Sequence, residues 1–559
     1  MASPLSFQGI TSGLQTDTLI NAIIQQESQG MLRMQDRQAL NVKRQSALKS
    51  LRSGMTDLSI SVASIYDALS AKTVSNSDAN QTYVSATATG SAKGSYRVSV
   101  TTLATRGQVS VAVADPNAAI LSGGSGSFAV QGTDGTVKAF ALTNNSLNGL
   151  RDAINASGAG VTASIVNTGT GATPYQLVVT AKDTGAGTTS GQVRLAAINN
   201  ADGSATNLDP SVSALGGGAI TGTFAAPTGL SGGVASSGAD VGKDAVFSVN
   251  GIQMTRASNV VKDAVDGVTF TLKKGDASNE TLLTVAQDTN AATTAVQNAI
   301  SKFNALLKTY KDASTPVKNS SGEIVPQPLE NDSVSRGLIN SMRNALSGFV
   351  DGLNGTEKYK SGVDIGIKTN ADGTLSLDAS LFKAALEDDP DGVKRVFGLS
   401  GSSTAGGVKF SSGTSATATG AVDFNLTYAA GGAVSGSLTY NGVTYSGLTG
   451  TNGILQGPAG SPLEGLALAV SGSGTGTLTI TRGIGQRLQD AISSQTSFTG
   501  IIQQTLTSID DQNKSLSSRI DQQQSALDRR RAVLKAQFDR MESAVSQLRA
   551  ASGGLSSLG

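Results

Sequence analysis

LKSLRSGMTDLSISVASIYDAL, residues 48–69, decides how this chain is read. Leu48, Leu51, Met55, Leu58, Val62, Ile65 and Leu69 follow one another at steps of three and four, the spacing of an apolar seam along one side of a helix that needs a partner. Near the other end of the chain Leu506, Ile509, Asn513, Leu516, Ile520, Gln523 and Leu527 repeat the pattern. After one stutter it resumes as Leu534, Phe538, Met541, Val545 and Leu548. Matching stripes at the two ends predict that the ends pair, and they direct the search for function toward assembly.

Working outward from the first stripe, residues 1–32 carry a weakly amphipathic run through Leu19, Ile20, Ile23 and Ile24. Arg33–Ser50 is helix-permissive but puts Arg37, Asn41 and Arg44 where the heptad wants apolar groups, so the register is expected to break before Leu48. After Ala71 the period changes to two. TYVSATATG and GSYRVSV, with Gly90 and Gly94 as turn residues, read as a β-hairpin. SLNGLRDAINASGAGV (146–161) interrupts with a short helix stopped at Gly158 and Gly160, and the strands TASIVN and YQLVVTAK follow. AVFSVNGIQMTR (245–256) contains Asn250-Gly251, a strong hairpin signal. Two amphipathic helices come next, with Val296, Ile300, Phe303 and Leu307 on one face of the first and Val334, Leu338, Met342 and Leu346 on the second. Residues 400–480 return to a low-charge β-pattern between helices and look like an inserted domain.

Composition narrows the chemistry. At 559 residues the chain exceeds one core and should divide into three or four units. A net charge of +1 gives no footprint for nucleic acid or an anionic membrane. The chain has no Cys, His or Trp. That removes disulfides, thiolate or imidazole metal sites, and Cys–His or Ser–His–Asp catalysis. No apolar run approaches the ~18 residues of a membrane span, so no membrane insertion is expected. The first cationic side chain is Arg33, which leaves no basic region for a Sec signal.

Four motifs resemble ligand sites. SSGADVGKDAV looks like a phosphate loop, but Ser237 stands where the first Gly belongs and Asp244 where Ser or Thr should hold magnesium. KTNADGTLSLDA has the turn of a calcium loop, yet Lys368 and Ala379 occupy its anchoring positions, so a turn into a strand is expected. Glu387, Asp388, Asp389 and Asp391 read as a solvated helix end. Arg529, Arg530 and Arg531 read as a solvent-facing band with partners such as Asp528 on the same helix. No catalytic, cofactor or metal residue is identified.

FQGITSGLQTDTLINAII, with Gly9, Ile10, Ser12, Gly13, Leu14 and Asp17 in matching places, resembles the opening of flagellar filament cap proteins, the hook-associated protein 2 or FliD family. SLNGLRDAINASGAGVTASIVN resembles the flagellin hook IN motif of that family, DIGIKTNADGTLSLDASLFKAALEDDPDGVKRVFG its inner-domain element, and LKAQFDRMESAVSQL its C-terminal helix. The resemblance implies an α+β multidomain protein with terminal helices paired as a coiled-coil leg and β-rich plate domains inserted between them. It implies a secreted, non-enzymatic homo-oligomer without cofactors, at the distal tip of the flagellum, exported without a Sec signal. The implied partners are further copies of itself, flagellin, the hook-filament junction protein, and a cytoplasmic export chaperone on the C-terminal helix.

The domain plan that follows is an arm over 1–47 ordered on assembly, a coiled-coil helix over 48–72, and an inner β-domain from 73–127 and 241–275. An outer β-domain follows over 128–240, then a helical inner domain over 276–399, an insert over 400–482 and the C-terminal helix and arm over 483–559. The seam is assigned to Leu48, Leu51, Met55, Leu58, Val62, Ile65, Leu69, Leu506, Ile509, Leu516, Ile520 and Leu527. Filament contact is assigned to Ile10, Leu14, Leu19, Ile20, Ile23, Leu534, Phe538, Met541, Val545 and Leu548. Rival readings are another axial component such as flagellin or a junction protein, an adhesin binding glycan through its β-domains, and a carbohydrate-active enzyme, for which no carboxylate pair is identifiable.

Overall fold

The computed structural model describes residues 15–90, 92–119, 127–198, 233–235 and 240–556. Among them the α-helices are α1 (Thr16–Glu27), α2 (Gln29–Ala68), α3 (Leu147–Ala156), α4 (Thr289–Ser314), α5 (Ser333–Ser347), α6 (Ala379–Asp388), α7 (Pro390–Phe397), α8 (Ile484–Thr496) and α9 (Ile501–Ser556). The chain forms two compact units, one from residues 1–69 with 289–559 and one from 70–288.

The first unit is built on the stripe of α2. All seven of its apolar residues from Leu48 to Leu69 are buried, together with Val296, Phe303, Leu306 and Leu307 of α4, Leu338 and Met342 of α5, Ile484 and Leu488 of α8, and Ile502, Leu506 and Ile509 of α9. Burying those seven side chains contributes about 10–20 kcal/mol as an upper bound. The stripe was expected to face one partner, the C-terminal helix; instead it is shared by several. The reason is local. At Gly54 an added Cβ would stand 3.0 Å from Leu306 Cδ1, so the missing side chain lets α4 lie against α2, and Lys302 meets Asp57 across that contact at 3.6 Å.

Helix starts follow their sequence signals. Asp332 caps α5 by accepting from Ser335 N–H, Asp378 caps α6 by accepting from Leu381 N–H, and Asp389 caps α7, whose first residue is Pro390. The acidic run is therefore a capped helix junction, with Asp388 held by Lys358 and Tyr359.

Between α7 and α8 lies the inserted β-sandwich. One antiparallel sheet orders Leu399–Ser403, Gly474–Arg482, Gly420–Tyr428, Val434–Tyr440 and Val443–Gly450; the other orders Val408–Ser412, Ala467–Val470 and Ile454–Gln456. Along Gly420–Tyr428 the inward Val422, Phe424 and Leu426 alternate with exposed residues. The insert closes at its neck, where Leu399 pairs with Arg482 and Gly483 N–H donates to Gly398 C=O at 2.8 Å.

The second unit has two cores. A five-stranded antiparallel sheet (Lys72–Asn76, Asp276–Gln287, Gly94–Thr102, Ala245–Val249, Ile252–Arg256) and a three-stranded one (Val260–Val265, Val268–Leu272, Val84–Ala88) bury Phe247, Phe270, Val98 and Leu283. The second core takes Phe128, Leu150, Ile154, Leu177 and Val179 from α3 and its strands. Asn250 and Gly251 both adopt positive φ, as the tight turn between paired Val249 and Ile252 requires.

Two domain boundaries need correction. Gln108–Val113 pairs with Tyr175–Ala181, so the chain enters the outer β-domain before residue 128. Asp276–Gln287 pairs with both Lys72–Asn76 and Gly94–Thr102, so the inner β-domain runs past 275. Pairing over long sequence separation decided both, and no local signal marks it.

Candidate functional site: the terminal helix pair

From Gln29 to Ala68 α2 is continuous for 40 residues, and the expected break in register before Leu48 does not occur. Arg44 turns aside to Asp332, its Nε donating to Oδ2 at 2.9 Å. Arg37 is exposed, and Asn41 stays in the seam, 8% exposed. The N-terminal half of α2 extends beyond the stripe and, with α1, lies along α9.

The pairing is antiparallel. Arg52 donates to Gln503 at 2.8 Å and Gln45 to Asp510 at 3.5 Å, a seven-residue step along each helix in opposite senses. Farther out Arg530 meets Glu27 at 3.4 Å and Arg531 donates to Asn21 at 3.2 Å. All three arginines are exposed, as read, but Arg530 and Arg531 find their partners on α1 and not within their own helix. Ile20, Ile24 and Met31 bury against Leu527 and Leu534, with Ile23, Met34, Ile520 and Phe538 packed around them. Part of the arm expected to wait for assembly is therefore helical within the single chain, because α9 supplies its apolar partner.

The C-terminal stripe is divided. Leu506 and Ile509 belong to the bundle core, Leu516 and Ile520 are half-buried, and Leu527 belongs to the distal cluster. Of the residues assigned to filament contact, Ile20 and Leu534 are taken up inside the pair, and Ile23, Phe538 and Val545 are half-buried. Leu19, Met541 and Leu548 are exposed, Leu548 at 70%. Ile10 and Leu14 lie outside the described residues. Donation of a hydrogen bond to the Asp511 carboxylate, with Asp510 close by, raises the Lys514 ammonium pKa above its ordinary value.

The structure turns the ligand look-alikes into turns. Lys243 bridges to Thr105, and Asp244 accepts from Ala186 N–H at 2.7 Å, while Ser237 lies outside the described residues. Residues 367–377 form a hairpin turned at Gly373. Among the described residues no group of three or more acidic side chains could hold a metal, and no helix is long and apolar enough to cross a membrane.

The flagellar hook-associated protein 2 C-terminus family matches residues 242–550, and its N-terminal counterpart matches 12–107. The chain belongs to the flagellar hook-associated protein 2 family. That family is one of flagellar components, named for their association with the hook.

The B-type flagellar hook-associated protein 2 of Pseudomonas aeruginosa is 29% identical over 63% of this chain and 70% of its own length. Flagellar hook-associated protein 2 of Escherichia coli K12 is 28% identical over 70% and 80%. The crystal structure of the D1–D2–D3 domains of the Escherichia coli flagellar cap protein covers 83% of this chain and 99% of that one, with TM-score 0.54 and 23% identity, and shares the fold.

The flagellin hook IN motif matches residues 127–183 of this family member. Its geometry explains the sequence. Ser146 caps α3 by accepting from Gly149 N–H, and Asn155 clamps Ala163 through both amide groups at 2.9 and 2.8 Å, fixing α3 to the strand Val161–Asn167. Sequence reasoning missed Asp332 and Asn155. Asp332 had a legible signal, an Asp directly before an amphipathic helix.

Proposed function

We propose that this chain is a subunit of a homo-oligomeric cap at the distal tip of the bacterial flagellar filament. The helix pair of α1, α2 and α9 serves as the leg that meets the filament end, and the β-domains form the plate. Exported flagellin folds and inserts beneath the cap, which prevents its leakage. The hook-filament junction protein is the surface on which the cap first sits. A cytoplasmic chaperone holds the C-terminal helix before export, which needs no Sec signal. The cap works by shape and carries out no catalysis.

The observation that carries this reading is the helix pair. α9 is 56 residues long, about 84 Å at ~1.5 Å per residue. Its last turns leave Met541 and Leu548 exposed where a partner can cover them.

The test is a clean deletion complemented with the full chain or with a chain ended after residue 540. The deletion strain should release unpolymerised flagellin and lack long filaments. The full chain should restore them, and the shortened chain, with its bundle intact, should not. Normal filaments in the deletion strain would end the cap reading; full rescue by the shortened chain would end the role given to Met541 and Leu548.

A further inference from the structure

Two hydrophobic clusters hold the helix pair, and they do not join. The bundle core ends on α2 at Leu48, with the partly buried Ala47 packed against it, and on α9 at Ile509, while the distal cluster begins at the partly buried Met34 and Ile520. Gln38, Asn41, Asn513 and the half-buried Leu516 lie between. The register set by Arg52 with Gln503 and Gln45 with Asp510 brings Asn41 and Asn513 to the same level of the seam. Asn41 Nδ2, a donor, and Asn513 Oδ1, an acceptor, are each buried without a hydrogen-bond partner.

We infer that this polar layer is a built-in break, at which the leg opens as a unit of its own while the bundle stays folded. The cost of an apolar interface is paid back in proportion to contiguous burial, and a layer that buries amides in place of methyl groups gives little. Opening the leg there rehydrates two buried amides, which partly offsets the apolar surface it exposes. Closing it exchanges those hydrations for at most one amide pair. The distal cluster is small and rich in Met31 and Met34, which fill space without fixing it. Below the layer the same α2 is locked by α4, α8 and the start of α9. One continuous helix therefore crosses from a region of high local stability to one of low local stability at a defined residue. A leg that opens and recloses without unfolding the bundle can change what it packs against, and for that use the inference rests on the cap reading. The break itself does not.

Native-state hydrogen exchange on the purified full chain tests it. Amides of residues 31–40 and 514–527 should exchange together and faster than those of 48–65 and 502–509. Replacing both amides with hydrocarbon, Asn41→Leu with Asn513→Leu, should join the clusters and slow the leg amides severalfold while bundle amides keep their rates. Gln38→Leu should move the leg rates in the same direction. Asn41→Leu alone should give less protection than the double change, since it leaves the Asn513 oxygen buried against hydrocarbon. Bundle amides report whether each variant has folded. Leg amides as protected as the bundle in the parent chain, or leg rates unchanged in the folded double variant, would overturn the inference, whatever the motility of the strain.

Discussion

Asp332 meets two demands at once. It caps α5 by accepting from Ser335 N–H at 2.7 Å and receives the Arg44 guanidinium, with its side chain 2% exposed. Asp332→Ala removes the cap and leaves Arg44 facing a site built for an anion. Because Arg44 is one-third exposed it can rehydrate, so the expected loss is about 2–3 kcal/mol, below that of a fully buried pair. Urea unfolding should show it, and a loss under about 0.5 kcal/mol, typical of an ordinary surface substitution, would refute it. Three carboxylates with exposed side chains should give the unit a dependence on acid. Asp372 is held below the ordinary carboxylate range by the Thr374 hydroxyl and N–H, Asp378 by Leu381 N–H and then Lys368, and Asp388 by Lys358 and then Tyr359. Depressed folded values mean their contribution is full above about pH 4 and is lost as pH falls through those values. Asp388→Asn should flatten the fall in urea midpoint as the pH drops below about 4, and an unchanged slope would remove Asp388 from this account.

At the scale of elements, the division of α2 between bundle and leg sets how substitutions combine. Leu58 lies deep among Val296, Phe303 and Leu488, whereas Leu516 is half-buried on the leg. Leu58→Asp should cost about 4 kcal/mol or more and Leu516→Asp about 1 kcal/mol, the first forcing a carboxylate into hydrocarbon and the second reaching water. The two losses should add to within ~0.5 kcal/mol, since the residues share no partner. Leu48→Ala and Leu506→Ala, which do share the core, should not add. Strong coupling of the Asp pair in unfolding experiments would restore the simpler picture of one seam between two helices.

Within the first unit the insert is set between α7 and α8. The insert leaves and rejoins the bundle at one neck, where Gly398 and Gly483 are hydrogen-bonded. Replacing residues 400–481 with a short linker should therefore leave the bundle folded, with helical content per molecule preserved and the thermal transition of the helices retained. Collapse of the helical signal would mean that the insert supports α7 and α8 rather than riding on them.

The apolar spacing from Leu48 to Leu69 determines, without any tertiary information, that α2 is a helix with one buried face. Period-two runs as strands, Asn250-Gly251 and the Ser146 start of α3 are equally legible, because each is a preference of a few consecutive residues; the hairpin expected of TYVSATATG and GSYRVSV is not formed, since Val84–Ala88 and Gly94–Thr102 go to different sheets and pair with distant strands. Asn441-Gly442, both at positive φ, carried the same hairpin signal inside the insert. What covers each face was not legible. Gly54 reads as a helix weakness until Leu306 is seen against it. Asn41 and Arg44 read alike as interruptions of the seam, yet one stays inside it and the other leaves for Asp332, 288 positions away. Local pattern fixes which surface must be hidden, since that depends on spacing along one helix. Only the packed chain decides what hides it, since apolar burial has no direction and any face of matching shape can supply it.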